Sequence, residues 1–226
     1  LTSEMHKLVV PPGSEIIHVM PQDYTVDYVE GIKDPVGMVG VRLEADFHVI
    51  TSQTAAVNNI HRCVKKAGQE MNKPELLCKN LILEPLASSM SVLSDEEMEA
   101  GVALVDIGGG TTDIAIFYEN IIRHTAVIPF GGNIITQDIK QGCTLMHQQA
   151  EQLKVKFGSA LAEETNANEI ISIPGLRNRP AKEISIRTLA QIIQARMEEI
   201  IELVYAELIA SGFNKRLGGG IVITGG

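Results

Sequence analysis

An α/β fold is the expectation, and three stretches of sequence carry it. The first is 102–113, Val-Ala-Leu-Val-Asp-Ile-Gly-Gly-Gly-Thr-Thr-Asp, running on into 114–118. Two short apolar runs without alternation are the pattern of strands buried on both faces, and the glycines between them read as a tight hairpin. The second is 188–212, where Leu189, Ile192, Ile193, Met197, Ile200, Val204 and Leu208 recur at helical spacing and form a core-facing stripe. The third is 1–80, in which strand-like and helical patterns are mixed as in a small α+β unit.

Composition narrows the function. The 226 residues can bury a core, as one large domain or two small ones. At 45% hydrophobic and 21% charged residues the balance is that of a globular protein. A net charge of −9 argues against nucleic acid as partner, because duplex binding draws on a basic stripe and none is visible. No apolar run approaches about 18 residues and no signal peptide opens the sequence, so no membrane span is expected within it. Cys63, Cys78 and Cys143 are widely spaced, with no histidine at ligand spacing. They read as buried or half-buried thiols of a reducing compartment, not as a disulfide or zinc framework. The stop at Gly226, directly after a strand, suggests an excised fragment.

In chain order, 15–20 and 23–28 are apolar-rich segments separated by Pro21-Gln22, a strand followed by an extended piece. Residues 33–40 carry turn chemistry around Pro35. Residues 41–50 alternate and predict a strand with one solvated face. Residues 54–68 place Val57, Ile60 and Val64 at helical spacing and stop at Gly68. No acid–base pair or metal cluster stands in this region, which reads as a packing or interaction module. Leu-Ile-Leu at 81–83 predicts a buried strand stopped by Glu84-Pro85. The small residues of 86–93 suit close helix packing, and Ser94 to Glu97 has capping-box character. Beyond the glycine hairpin, 121–130 predicts a strand and Gly131-Gly132, with Asn133 and Thr136, a turn into a helix. A helix over 144–157 carries Glu151 and Lys154. Residues 169–173 and 183–186 predict a hairpin with basic Arg177, Arg179 and Lys182 at its tip. Residues 217–226 return a strand into a second glycine-rich loop.

The chemistry gathers at the hairpin. Asp106 ends its first strand, so its carboxylate is expected at the mouth of the sheet. Gly108, Gly109 and Gly110 remove side chains and permit positive φ. Successive amides in such a turn form an anion nest, to which the Thr111 and Thr112 hydroxyls add donors. A carboxylate beside a bound phosphate calls for a cation between them, and Mg²⁺ fits. An ordinary glycine-rich hairpin is the competing reading, though the pattern Asp-x-Gly-Gly-Gly-Thr-Thr-Asp between two hydrophobic strands is far more restrictive than three glycines alone. Glu151 and Lys154, at i and i+3, share one helix face; in isolation they would be a solvated ion pair. Gly131-Gly132 and Gly225-Gly226 could equally be plain turns.

These residues carry a resemblance. The hairpin is similar to the second phosphate loop of the actin, sugar-kinase and heat-shock-chaperone ATPase superfamily. Ile17-His-Val-Met-Pro-Gln-Asp-Tyr24 and Gly31-Ile-Lys-Asp-Pro-Val-Gly-Met-Val-Gly-Val-Arg42 resemble, more narrowly, the FtsA family of bacterial cell-division proteins; Leu86-Ala-Ser-Ser89 and Gly131-Gly132 extend the likeness over nearly the whole chain. It implies an actin-like (ribonuclease H-like) ATPase fragment with an α+β inserted subdomain. The divisions it implies are 1–80, the inserted subdomain IC; 81–100, the remainder of subdomain IA with a connecting helix; 101–135 with 216–226, the nucleotide-binding subdomain IIA; and 136–215, subdomain IIB.

The resemblance further implies one wall of a cleft for ATP and Mg²⁺. Phosphates would lie on Gly108, Gly109, Gly110, Thr111 and Thr112, and the metal by Asp106, with Asp113 touching it through water or capping the turn. Ribose would meet Glu151 and Lys154, the base Gly225 and Gly226, with Gly131 and Gly132 close to the nucleotide. Asp106 and Glu84 are the candidates for organising water, Glu84 being equally readable as a strand-terminal glutamate. By the same likeness the protein polymerises, joins other divisome proteins, receives the tail of the tubulin-like FtsZ on subdomain IIB, and reaches the cytoplasmic face of the inner membrane at the septum through a C-terminal helix outside this sequence. Hydrolysis would be slow, and a fragment holding half a cleft is expected to bind nucleotide weakly and hydrolyse none. A pilus-assembly actin homologue and a small-molecule kinase of the superfamily are the alternatives. The peptide-binding chaperone ATPase conflicts with the 1–80 module.

Overall fold

The computed structural model describes residues 2–166, 168–174 and 180–226. The chain forms two compact units, Leu1–Ser91 with Ile121–Arg123, and Val92–Asn120 with His124–Gly226.

The first unit contains a short helix α1 (Thr2–Met5), strands β1 (Ser14–Val26), β2 (Val29–Ile32) and β3 (Leu43–Gln53), and helices α2 (Thr54–Glu70) and α3 (Glu84–Val92). Its sheet has the order β2-β1-β3 with antiparallel neighbours. The break expected at Pro21 is a register shift inside one continuous strand, between Pro21 and Asp23. Proline is tolerated there because β2 pairs only with the end of β1, at Tyr24 and Val26, so the ladder on that side has nothing to lose at Pro21.

Helix α2 also runs beyond the expected stop. Gly68 lies within it and is buried, and a Cβ there would meet the Lys73 carbonyl at 2.7 Å. The glycine serves close approach, while the left-handed residue after the helix is Asn72, at φ 53°. Residues 81–83 are not a strand. The Leu83 amide donates to His18 Nε2 at 3.0 Å instead of to a neighbouring ladder, and α3 begins at Glu84 with Pro85 in its first turn, where a missing N–H costs nothing. Cys63 is exposed rather than buried; Cys78 is half-buried and Cys143 buried.

In the second unit α4 (Asp95–Ala100) opens with a full capping box: Ser94 Oγ accepts from the Glu97 amide at 3.2 Å, and the Ser94 amide donates to Glu97 Oε2 at 2.8 Å. Then come β4 (Val102–Ile107), β5 (Thr112–Tyr118), β6 (Ile121–Ile128), α5 (Gly132–Gly142), α6 (His147–Phe157), a 3₁₀ turn (Ala162–Glu164), β7 (Ile170–Ile173), β8 (Lys182–Ser185), α7 (Ile186–Ala210) and β9 (Gly220–Gly225). The sheet order is β6-β5-β4-β9, with β4 antiparallel to β5 and parallel to β9. Residues 102–105 are all buried, as their unbroken apolar run requires of a central strand.

Two cores lie in this unit. One gathers Ala103, Val105, Ile114, Ile116 and Ile128 under the C-terminal half of α7, through Ile200, Val204 and Leu208. The other packs α5, α6 and the β7–β8 hairpin around Leu189 and Ile193 from the N-terminal half. Met197 touches both, so one amphipathic stripe serves two clusters. Lys182 begins β8, and its ammonium donates to the Cys143 carbonyl; Arg177 and Arg179 lie outside the described residues.

Candidate functional site

The β4–β5 register sets the centre of the site. Asp106 pairs with Asp113 and Ile107 with Thr112, leaving residues 108–111 as the turn. Directly opposed residues of a ladder share one sheet face, so two carboxylates stand together there. Their like charge is unfavourable unless something cationic or a donor offsets it; Thr111 Oγ1 supplies one donor, to Asp113 Oδ2 at 2.9 Å.

The turn closes through the Gly108 amide, which donates to the Thr111 carbonyl at 2.9 Å. The amides of Gly109, Gly110 and Thr111 have no acceptor among the described residues, and these three residues are exposed. They form the portion of the expected nest that is open to a ligand. Thr112 is different. It is buried, and its hydroxyl donates to the Phe130 carbonyl at 2.8 Å, so this threonine fastens the hairpin to the next turn instead of offering a donor outward.

None of Gly108, Gly109 and Gly110 occupies the positive-φ region. Their backbone is needed for closeness: the Gly132 amide donates to the Gly108 carbonyl at 2.9 Å and the Asn133 amide to the Gly109 carbonyl at 2.7 Å. Helix α5 therefore begins directly on the hairpin. Gly131 makes that possible, since a Cβ there would lie 2.4 Å from the Gly108 oxygen. At the other edge Gly225, at φ 110°, packs on the end of β4, where a Cβ would meet the Ile107 carbonyl at 2.3 Å and Asp106 Oδ1 at 2.8 Å. The Gly226 amide donates to the same Ile107 carbonyl at 3.2 Å.

Glu151 and Lys154 of α6 reach this place through α5. Lys154 Nζ donates to the Gly132 carbonyl at 3.0 Å and to Thr136 Oγ1 at 2.8 Å, and pairs with Glu151 Oε2 at 2.9 Å. Thr136 Oγ1 donates to that same Glu151 oxygen at 2.5 Å. The Thr136 hydroxyl first, and then the Lys154 ammonium, hold the Glu151 carboxyl below its usual range, against the opposing effect of partial burial. Thr136 is wholly buried and central to the cluster, where its sequence context suggests only part of a turn. Its position four residues after Gly132, on the same helix face, is the signal that could have found it.

A second tie lies just behind. Arg196 of α7 forks onto Asp138 of α5, Nε to Oδ2 at 2.6 Å and Nη2 to Oδ1 at 3.2 Å, with its guanidinium 5.7 Å from the centre of the Phe130 ring. The Asp138 hydrogen bond pushes the arginine's pKa further up. No pattern local to either residue could have paired positions 58 apart. Glu84 is exposed at the start of α3 and belongs to the first unit.

The sheet, the hairpin and the helix seated on it are those of the α/β fold shared by actin-like ATPases. Two solved structures show the same fold: the PilM–PilN type IV pilus biogenesis complex (TM-score 0.61, 14% identity, covering 99% of this chain and 53% of that one) and MreB5 of Spiroplasma citri bound to ADP (TM-score 0.53, 20% identity, covering 80% and 68%).

Sequence comparison narrows the class. The family model for cell division protein FtsA matches residues 103–220, and that for the SHS2 domain inserted in FtsA matches residues 1–51. Cell division protein FtsA of Pseudomonas aeruginosa is 45% identical over 219 residues, 97% of this chain and 51% of the relative. The Escherichia coli protein of the same name is 40% identical over 218 residues, covering 93% and 50%. The chain belongs to the FtsA family. It spans about half the length of these curated relatives.

Proposed function

We propose that the protein containing this chain is a nucleotide-binding, actin-like cell-division protein that polymerises and anchors the FtsZ ring to the cytoplasmic membrane at the septum. The observation that carries the nucleotide part is the meeting of three groups from separate stretches of sequence: the open amides of 109–111, the first turn of α5 and the ionised Glu151. An anion and a neighbouring hydroxyl pair are the chemistry such a surface recognises. Fold neighbours bound to ADP and to AMPPNP support the same reading.

In this reading the amides of Gly109, Gly110 and Thr111 bind phosphate oxygens. Asp106 and Asp113 hold Mg²⁺, whose charge offsets both carboxylates and the phosphates. Gly131 and Gly132 keep α5 against the hairpin, Glu151 accepts from ribose, and the backbone at Gly225 and Gly226 faces the base. Asp106 orients water for at most slow hydrolysis, so that bound nucleotide biases assembly more than it drives turnover. Residues 1–80 act as the inserted interaction subdomain IC and 81–100 as the connecting part of IA. Residues 101–135 with 216–226 form IIA, and 136–215 form IIB, the face for FtsZ. A filament of the related-fold protein MamK, at 18% identity, accords with self-association.

Calorimetric titration of the full-length protein with Mg-ATP tests the site, and co-sedimentation with FtsZ on anionic liposomes tests the anchoring role. Nucleotide binding in the micromolar range and FtsZ carried down only with protein and liposomes together are expected. Failure of the first removes the site reading, and failure of the second removes the anchoring role.

A further inference from the structure

The geometry points to a proton-sensitive latch in the first unit: His18 fastens the start of helix α3 to strand β1 while its Nε2 is unprotonated, and releases it when the imidazole takes up a proton. The latch is independent of the nucleotide reading above. His18 belongs to the stretch 17–24 on which the likeness to FtsA proteins rests, and no part of the candidate site uses it.

The Leu83 amide donates to His18 Nε2 at 3.0 Å. A ring nitrogen that accepts carries no proton, so the imidazole is neutral with its hydrogen on Nδ1. Leu83 also begins the helix, since its carbonyl accepts from the Leu86 amide at 3.0 Å and the Ala87 amide at 3.2 Å. One residue therefore ties the sheet to the first turn of α3. That helix carries the chain past Ser91, where the first unit gives way to the second. An imidazolium donates from both nitrogens and has nothing to offer the Leu83 amide. Its charge also opposes the partial positive charge at a helix N-terminus. Two costs thus fall on the protonated state.

Water has room beside the ring. A cavity of about 460 Å³ is lined by His18 with Glu15 of β1, Val57 and His61 of α2, and Lys79, against about 30 Å³ for one water. A proton can arrive there, and the freed amide can be solvated, without unfolding. The charged and titratable groups around His18 are Glu15, His61 and Lys79 on that cavity, His48 of β3, which pairs with Met20 on the same sheet face, and Glu84 in the first turn of α3. Carboxylates attract an imidazolium and cations repel it; whichever balance holds, protonation takes the acceptor from Leu83.

Hydrogen exchange of the full-length protein, read by mass spectrometry on peptides covering 81–87, tests the latch between about pH 8 and about pH 5, the span of histidine protonation. After correction for the intrinsic pH dependence of exchange, protection of 81–87 should fall about fivefold or more toward acid, the worth of one hydrogen bond. Protection of β1 and β3 should hold. The midpoint of the fall should coincide with the titration of His18 itself, followed in the same protein by exchange of its ring C2 hydrogen. His18→Gln supplies a side-chain carbonyl that accepts throughout this range, so protection of 81–87 should no longer change with pH. Constant protection in the unsubstituted protein overturns the proposal, as do clearly separated midpoints. An equal pH dependence in His18→Gln assigns the effect to another group, and a parallel fall in β1 and β3 reports general opening of the unit; either result overturns it too.

Discussion

Two glycines of the site stand for opposite reasons, and substitution separates them. Gly110 has nothing within 4 Å of an added Cβ and lies outside the positive-φ region. Gly110→Ala should therefore leave stability within about 0.5 kcal/mol while lowering nucleotide affinity by roughly tenfold or more, as a methyl group enters the space phosphate needs. Unchanged affinity would remove phosphate from the turn. Gly131→Ala forces a Cβ against the Gly108 carbonyl, 2.4 Å away, and should cost about 1–3 kcal/mol in denaturant unfolding. Glu151 adds a pH signature. Its folded-state pKa is depressed, so its contribution is fully present above the ordinary glutamate range, near about 4.3, and is lost as pH falls through the lowered value. Melting curves of the wild type and Glu151→Gln should differ at pH 7 and converge below pH ~4. A difference that persists in acid would mean that the ionised carboxylate contributes nothing. With the side chain 42% exposed, solvent screening keeps the effect small.

At the scale of elements, α7 ties the second unit together. Ile200 is wholly buried in the core beneath the sheet, and Ile200→Ala should cost about 2–5 kcal/mol by chemical denaturation. Arg196→Ala removes the fork onto Asp138 and the stack on Phe130. Because that pair is only partly buried, a cost of about 1–2 kcal/mol is expected. The sum of the single costs measured against the double variant then reports whether the two halves of α7 act as one helix. The stripe itself was plain from spacing. Its division between two clusters was not, because periodicity states which face is apolar and not what covers it.

Across the whole molecule, the two units differ in how much apolar side chain they bury. Val26, Ile50 and Val57 are the buried hydrophobic residues described in Leu1–Ser91, whereas the second unit holds two clusters around β4, β5 and α7. Local stability follows buried apolar contact. Native-state hydrogen exchange of this chain should show β1 and β3 amides exchanging faster than those of β4 and β5; equal protection would contradict that ranking.

The sequence by itself determined the elements of the second unit and which of its residues gather around the glycine hairpin. Fully apolar strands, a restrictive glycine pattern and a seven-residue stripe are local signals, legible because strand and helix periodicities are set by backbone geometry. The first unit is legible in outline, but the roles of Pro21, Gly68 and 81–83 are not, since whether a proline breaks a strand or a run becomes one depends on what pairs beside it. Tertiary structure alone decided that Thr112 faces inward, that Thr136 joins Glu151 to Lys154, and that Gly131 seats α5 on the hairpin. Each of these depends on groups distant in sequence arriving within hydrogen-bond reach, a property of packing that no single stretch encodes.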